Sequence, residues 1–283
     1  MEGSVTRNDE VLRATRWVSL AVVVVLIPAF VILWWIPGDT ADDWAWTIKP
    51  RMTPIFMGSG YAAGAYFFAR ACGGHRWHQV SAGVISAAVF ALLMLIATLV
   101  HWDRFNHGNA PFLGAFMFYG WVVVYIVSPV LVGLLWLRNR RTDPRVREPH
   151  DPALPPTVLL AARGVGLGAL TVGAIFYIAP SVAMHVWPWH LTPLSARVLA
   201  SFTIQVAAGA ILLSRDSRWS TWRILLQTFL VATVLLLLGA ARAWSDFDHA
   251  NPLSWLFVAG LAATAAAIIA LYRRTQTLTT RSA

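Results

Sequence analysis

The 283-residue chain has one cysteine, one lysine and three glutamates, and only 12% of its residues are charged. Each shortage excludes something. Cys72 standing alone rules out an intrachain disulfide, a thiolate metal cluster and a Cys-x-x-Cys redox pair. Soluble domains carry about a quarter charged residues, so this chain cannot clothe a large aqueous surface. It has no Walker loop, no acidic pair for Mg²⁺-pyrophosphate chemistry and no recognisable Ser/His/Asp spacing. No histidine or carboxylate falls at the middle of an apolar run. That argues against haem held between helices and against an ion-coupled pump with an acid relay.

What the chain does have is apolar length. Mean hydropathy is +0.61, and eight runs come near the roughly 20 residues that cross a bilayer. They cover about 17–37, 54–70, 80–100, 112–137, 158–180, 194–213, 223–241 and 253–272, the second being the shortest. Such runs are too long and too uniform for barrel strands. The expected fold is an all-α integral membrane protein with eight transmembrane helices. The first run has no small-x-small cleavage site after it and reads as an uncleaved span.

The pI near 10.7 invites a nucleic-acid reading, but the placement of the cations answers it. With the N-terminus inside, 17 of the 22 basic residues fall on the cytoplasmic side, and Lys49, Arg51, Arg104, Arg197 and Arg242 stay outside. This is the positive-inside asymmetry of a polytopic protein. It predicts both termini inside, membrane lipids as partners and no nucleic acid. That 21 of the 22 basic residues are arginine, with the richness in Ala, Val and Leu, points to a high-GC bacterial genome and so to a bacterial cytoplasmic membrane.

The Pro- and Arg-rich stretch "RNRRTDPRVREPHDPALPP" at 138–156 divides the spans four and four. The expected organisation is an N-terminal four-span unit (1–142), a cytoplasmic linker (143–157) and a C-terminal four-span unit (158–283). The two units resemble one another. "WAWTIKP" and "WPWHLTP" share W-x-W-x-[I/L]-x-P at an offset of 143; "HWDRFNHGN" and "RAWSDFDHAN" share W-x-x-F-[N/D]-H-x-N at 142. Two matches at nearly one offset predict an internal duplication. Four spans return the chain to its starting side, so the copies are expected to be same-orientation repeats about an axis along the membrane normal.

Both motifs fall on the outer rim. The candidate ligand-binding residues are therefore Trp44, Trp46, Trp102, Phe105, His107, Trp187, Trp189, Trp244, Phe247, Asp248, His249 and Arg197. Interfacial anchoring accounts for the tryptophans, and helix starts account for Pro50, Pro193, Asn109 and Asn251. The histidines are left over, and His107, His249 and Asp248 are the candidates for metal ligands. Arg197 and Arg51 stand where they can snorkel, clamp an anion or pair with rim acids. Polar groups inside the spans are few: Tyr61, Tyr66, Tyr119, Tyr125, Ser128, Tyr177, Thr203, Gln205 and Gln227. Gly60 with Gly64, and Gly164 with Gly168, have the spacing of close helix contacts, within one chain or across a homodimer. Pro28, Pro129 and Pro180 are expected to kink or end their helices.

"WAWTIKPRMTP" resembles the Trp-x-x-x-Leu-x-Lys-Pro-x-x-x-Pro stretch of the tryptophan-rich sensory (translocator) family at Trp44, Ile48, Lys49, Pro50 and Pro54. The likeness covers eleven residues, lacks the second adjacent proline, and Thr192 replaces the lysine in the other half. Nothing is carried over from it. The functional expectation is a non-enzymatic membrane protein, without a cofactor, that binds or passes a small molecule or lipid at an outer aromatic, His-containing vestibule. The alternatives are a metal-dependent membrane enzyme and an accessory subunit of a membrane complex.

Overall fold

Where no water reaches the backbone, its N–H and C=O groups must be satisfied within the segment, and every long apolar run is helical. The computed structural model describes residues 7–74, 76–107, 111–148 and 150–281, with side chains through 275. The helices are α1 (Arg13–Phe30, continued by a π-helical turn Val31–Trp35), α2 (Thr40–Asp43), α3 (Met52–Cys72), α4 (Trp77–Val100) and α5 (Phe112–Asn139), then α6 (Pro156–Ile178), α7 (Pro180–Val186), α8 (Pro193–Leu213), α9 (Trp219–Arg242) and α10 (Pro252–Arg281). Among the described residues there is no sheet, only three isolated bridges.

Seven helices are long and apolar enough to cross a membrane, and the protein is an integral multi-pass membrane protein. The helix from Met52 to Cys72 has the length, 21 residues, but is not one of the seven. Thr53, Ser59, Tyr61, Tyr66, Arg70 and three glycines dilute its apolar content.

Burial explains why α3 tolerates that composition. It packs between α1 and α9, while α8 packs between α6 and α4. Helices α3, α4, α8 and α9 form the centre, with α1, α5, α6 and α10 outside them. The apolar window of α8 is 56% buried, against 11% for α6 and α10. Large apolar side chains such as Leu160, Val165, Phe116 and Leu256 are left on the outward faces.

Local signals behave in part as the sequence implied. Pro193 opens α8 behind Thr192, whose hydroxyl accepts from the Ser195 N–H at 3.2 Å. Asn251 caps α10 by accepting from the Leu253 N–H at 2.9 Å; Asn109 lies outside the described residues. Pro180 starts α7, but Pro28 and Pro129 sit inside helices that continue past them. The Gly164–Gly168 expectation is corrected for contacts within the chain: no atom of another helix lies within 4 Å of a Cβ built on either. The close approach to α8 is made at Gly166, where an added Cβ would lie 2.8 Å from Ile211.

Candidate functional site

The two rim motifs form the same local structure. Trp102–Arg104 and Trp244–Asp246 are single 3₁₀ turns just beyond α4 and α9. The chain then lies along the W-x-W segment of its own half. The Asn106 N–H donates to Ala45 O at 2.9 Å and the Asp248 N–H to Pro188 O at 2.8 Å. The ring centroids of Trp46 and Phe105 are 5.1 Å apart, and those of Trp189 and Phe247 5.0 Å. Trp44, Trp46, Phe105, Trp189 and Phe247 are buried, Trp187 and Trp244 half-buried, and Trp102 exposed.

The histidines are occupied locally. His107 Nε2–H donates to Trp102 O and His249 Nε2–H to Trp244 O, each ring lying 5.0 Å from the ring of that tryptophan. Asp248 accepts from the Ala250 N–H at 3.0 Å. No hydrogen bond or ring contact among the described residues joins His107 to His249. Nor does any group of three His, Cys, Asp or Glu side chains there form a metal-ligand set.

Arg197 takes a partner the sequence did not indicate. Its Nη1 donates at 2.7 Å to His101 Nε2, which must therefore be the unprotonated ring nitrogen. Burial, with Arg197 and Arg104 beside it, lowers the His101 pKa from 6.5 against the opposing pull of Asp103. Across the halves, Asp246 accepts from the Met52 N–H at 2.8 Å, and Arg242 donates to the carbonyls of Trp34 and Trp35.

Within the bundle lies a cavity of about 260 Å³ lined by α1, α3, α4, α5 and α8. Its walls are aliphatic and aromatic. Trp44 and Trp121 do not line it but pack against its tyrosines, Trp44 ring-to-ring with Tyr61 at 6.5 Å and Trp121 with Tyr125 at 4.5 Å, and Trp121 meets Trp46 at 4.8 Å. Four polar side chains line it: Tyr61, Tyr125, Ser128 and Gln205. The two phenol oxygens are 3.0 Å apart and hydrogen-bonded. Gln205 and Ser128 have no hydrogen-bond partner among the described residues. Ser59, Ser86 and Thr98 return their hydroxyls to the carbonyl four residues back, the usual outlet in a helix; Ser128 does not. A smaller pocket of about 90 Å³ shares Gly60, Phe202 and Gln205 and extends the space towards α9. Gly60 is required there, because a Cβ would lie 2.3 Å from the Phe202 ring.

At the opposite end, where α4 and α9 begin, the sequence reading overlooked a polar chain. His78 Nδ1 meets Asp9, and His78 Nε2 lies 2.8 Å from Ser220 Oγ, which is 2.5 Å from Asp151. Asp9 and Asp151 also accept the N–H groups of His78 and Ser220, capping α4 and α9. Carboxylates at both ends can only accept, so the three links need three protons, one more than a neutral imidazole and a hydroxyl bring. Beside this chain, Arg218 is clamped between Asp143 and Asp216. Burial pushes the Asp216 carboxyl up, but hydrogen bonds and charge from Arg218 outweigh it and hold the pKa below 3.8. Asp9, His78, Asp151 and Arg218 line a cavity of about 340 Å³. The links of the chain join positions 69 and 142 residues apart, beyond the reach of any local motif.

Searches against family models, curated proteins and solved structures found no match for this chain.

Proposed function

We propose that this protein binds an apolar molecule dissolved in the membrane, a small one or one chain of a lipid, in the cavity between α1 and α5. The observation that carries this reading is the convergence of Tyr61, Tyr125, Ser128 and Gln205 on one apolar space. Ligand sites are mostly apolar with a few placed polar groups, and polar side chains inside a membrane are costly enough to mark function. The volume, below the roughly 300–1,000 Å³ of drug-sized sites, fits a small molecule or a single chain. On this reading Trp44 and Trp121 hold the tyrosine pair from behind, and Trp46, Trp102, Trp187, Trp189, Trp244, Phe247 and the two rim histidines brace the loops. The vestibule expected on the rim is thus moved inward.

The same proposal places α3 as an eighth span, with two same-orientation four-helix repeats and both termini in the cytoplasm of a bacterial cell. Support comes from the exchange of α3 onto α9 and α8 onto α4. The rim turns match, and the bridges Glu10–Arg76 and Ala153–Arg218 match at the other end. The site itself is not duplicated, since Ile204 stands 143 residues after Tyr61. The first half supplies the tyrosine pair and most of the lining, and α8 of the second half contributes Phe202 and Gln205.

Ala21 lines the mouth of the cavity and is exposed, so Ala21→Trp should fill the space without breaking the core. Solvent extraction and mass spectrometry of protein purified from native membranes should find an apolar compound in the parent that is depleted several-fold in this variant. Identical extracts from both would refute the reading.

A further inference from the structure

We infer that the ligand of this cavity carries a hydrogen-bond acceptor oxygen, of ketone or quinone type, on its apolar body, and that the Tyr61–Tyr125 pair is its donor. The inference rests on the cavity being a binding site and names the chemistry of what enters it.

The proton count is the starting point. Tyr61 and Tyr125 each bring one O–H, and the pair makes one hydrogen bond, in which either oxygen can be the donor. Whichever donates, the hydroxyl proton of the other has no acceptor among the described residues. Both residues are buried, at 3% and 6% exposure, and ring contacts fix them. Tyr61 lies 5.7 Å from Phe202 and 6.5 Å from Trp44, and Tyr125 4.5 Å from Trp121 and 6.1 Å from Phe90. The phenols are held where they are, so the spare proton cannot swing away to a backbone carbonyl. A buried donor left unmade costs about 1–3 kcal/mol, and an acceptor entering with the ligand removes that cost.

Gln205 supports the same assignment. Its amide has two donors and one acceptor, none engaged among the described residues, and it lines this cavity and the inner pocket alike. Two other tyrosines inside the spans are spent: Tyr177 donates to Leu93 O at 2.6 Å, and Tyr66 to Gln227 at 2.8 Å. Unpartnered donors also occur elsewhere, at the buried indole N–H groups of Trp34, Trp44, Trp46, Trp77 and Trp187, but none of those residues lines this cavity, whereas the tyrosine pair and Gln205 do. No basic or acidic side chain lines the cavity, so a charged headgroup has no partner there, while a neutral oxygen has two.

Benzophenone and diphenylmethane test this as a pair, because they share a shape and differ by a carbonyl oxygen against a methylene. Radiolabelled forms of each are equilibrated with the full-length protein in detergent, and Ala21→Trp sets the background. The expected result is roughly three- to tenfold tighter binding of benzophenone, the worth of one net hydrogen bond. Tyr61→Phe with Tyr125→Phe should bring the ratio to about one, and Gln205→Met should lower it independently. If both probes bind above background with a ratio near one in the parent, or the ratio survives the tyrosine changes, the acceptor assignment is wrong and the cavity stands. If neither probe exceeds the background, the cavity is not a binding site and both statements fall.

Discussion

At the scale of single residues, the account turns on which charged and polar groups have partners. His101 is held unprotonated at Nε2 by Arg197, and its pKa lies below 6.5. The folded protein therefore takes up this proton less readily than the unfolded chain. Stability should rise with pH across the window below 6.5 and fall as the pH drops through it. Unfolding midpoints of purified protein read at successive pH values should show this slope, and His101→Gln should flatten it; an unchanged slope would remove the imidazole from the explanation. Asp216 works with the same sign at lower pH: its contribution is present above 3.8 and lost as pH falls through the depressed value. Removing Arg218 leaves Asp143 and Asp216 without their shared cation. Arg218→Leu should cost about 3 kcal/mol, the low end for a broken buried pair, as read by denaturant unfolding, and a loss under 1 kcal/mol would show that water serves the two carboxylates equally well.

At the scale of elements, the rim segments act as packed units. Trp46 is 3% exposed and its ring meets Trp44, Phe105 and Trp121. Trp46→Ala should cost about 3–5 kcal/mol and weaken probe binding by loosening Trp121, which packs against Tyr125. At the other end, His78→Ala should release the segment around Asp9 from α4. Hydrogen exchange should rise at the Trp77 N–H, which donates to Asp9 O, while the rim amides keep their protection; uniform loss of protection would point to global unfolding instead. The sequence made the helices legible because their apolar length has one meaning in a bilayer, and it made the rim motifs legible because they occur twice. It gave no hint that His107 and His249 would close on their own tryptophans, because a five-residue loop-back has no signature. Asp9, His78, Ser220 and Asp151 stayed hidden because only the fold brings them together. Tyr61, Tyr125, Ser128 and Gln205 were visible singly as polar residues in apolar runs; their convergence on one space depends on how five helices pack.

At the scale of the whole molecule, the arrangement is a four-helix centre carrying two outer pairs, with exchange between the halves at α3–α9 and α8–α4. The proposed orientation puts the rim outside the cell. In a Cys72→Ser background, Asp103→Cys should react with a membrane-impermeant thiol reagent on intact cells and Arg145→Cys should not; the reverse pattern would invert the orientation. The asymmetry between the halves is the functional point, since the tyrosine pair occurs in one of them. The most direct test is an electron cryomicroscopy map of the protein in nanodiscs made from its native membrane. The account predicts elongated non-protein density between α1 and α5, reaching Tyr61, Tyr125 and Gln205. A map in which α1 and α5 close against each other, with side chains filling that space, would contradict it.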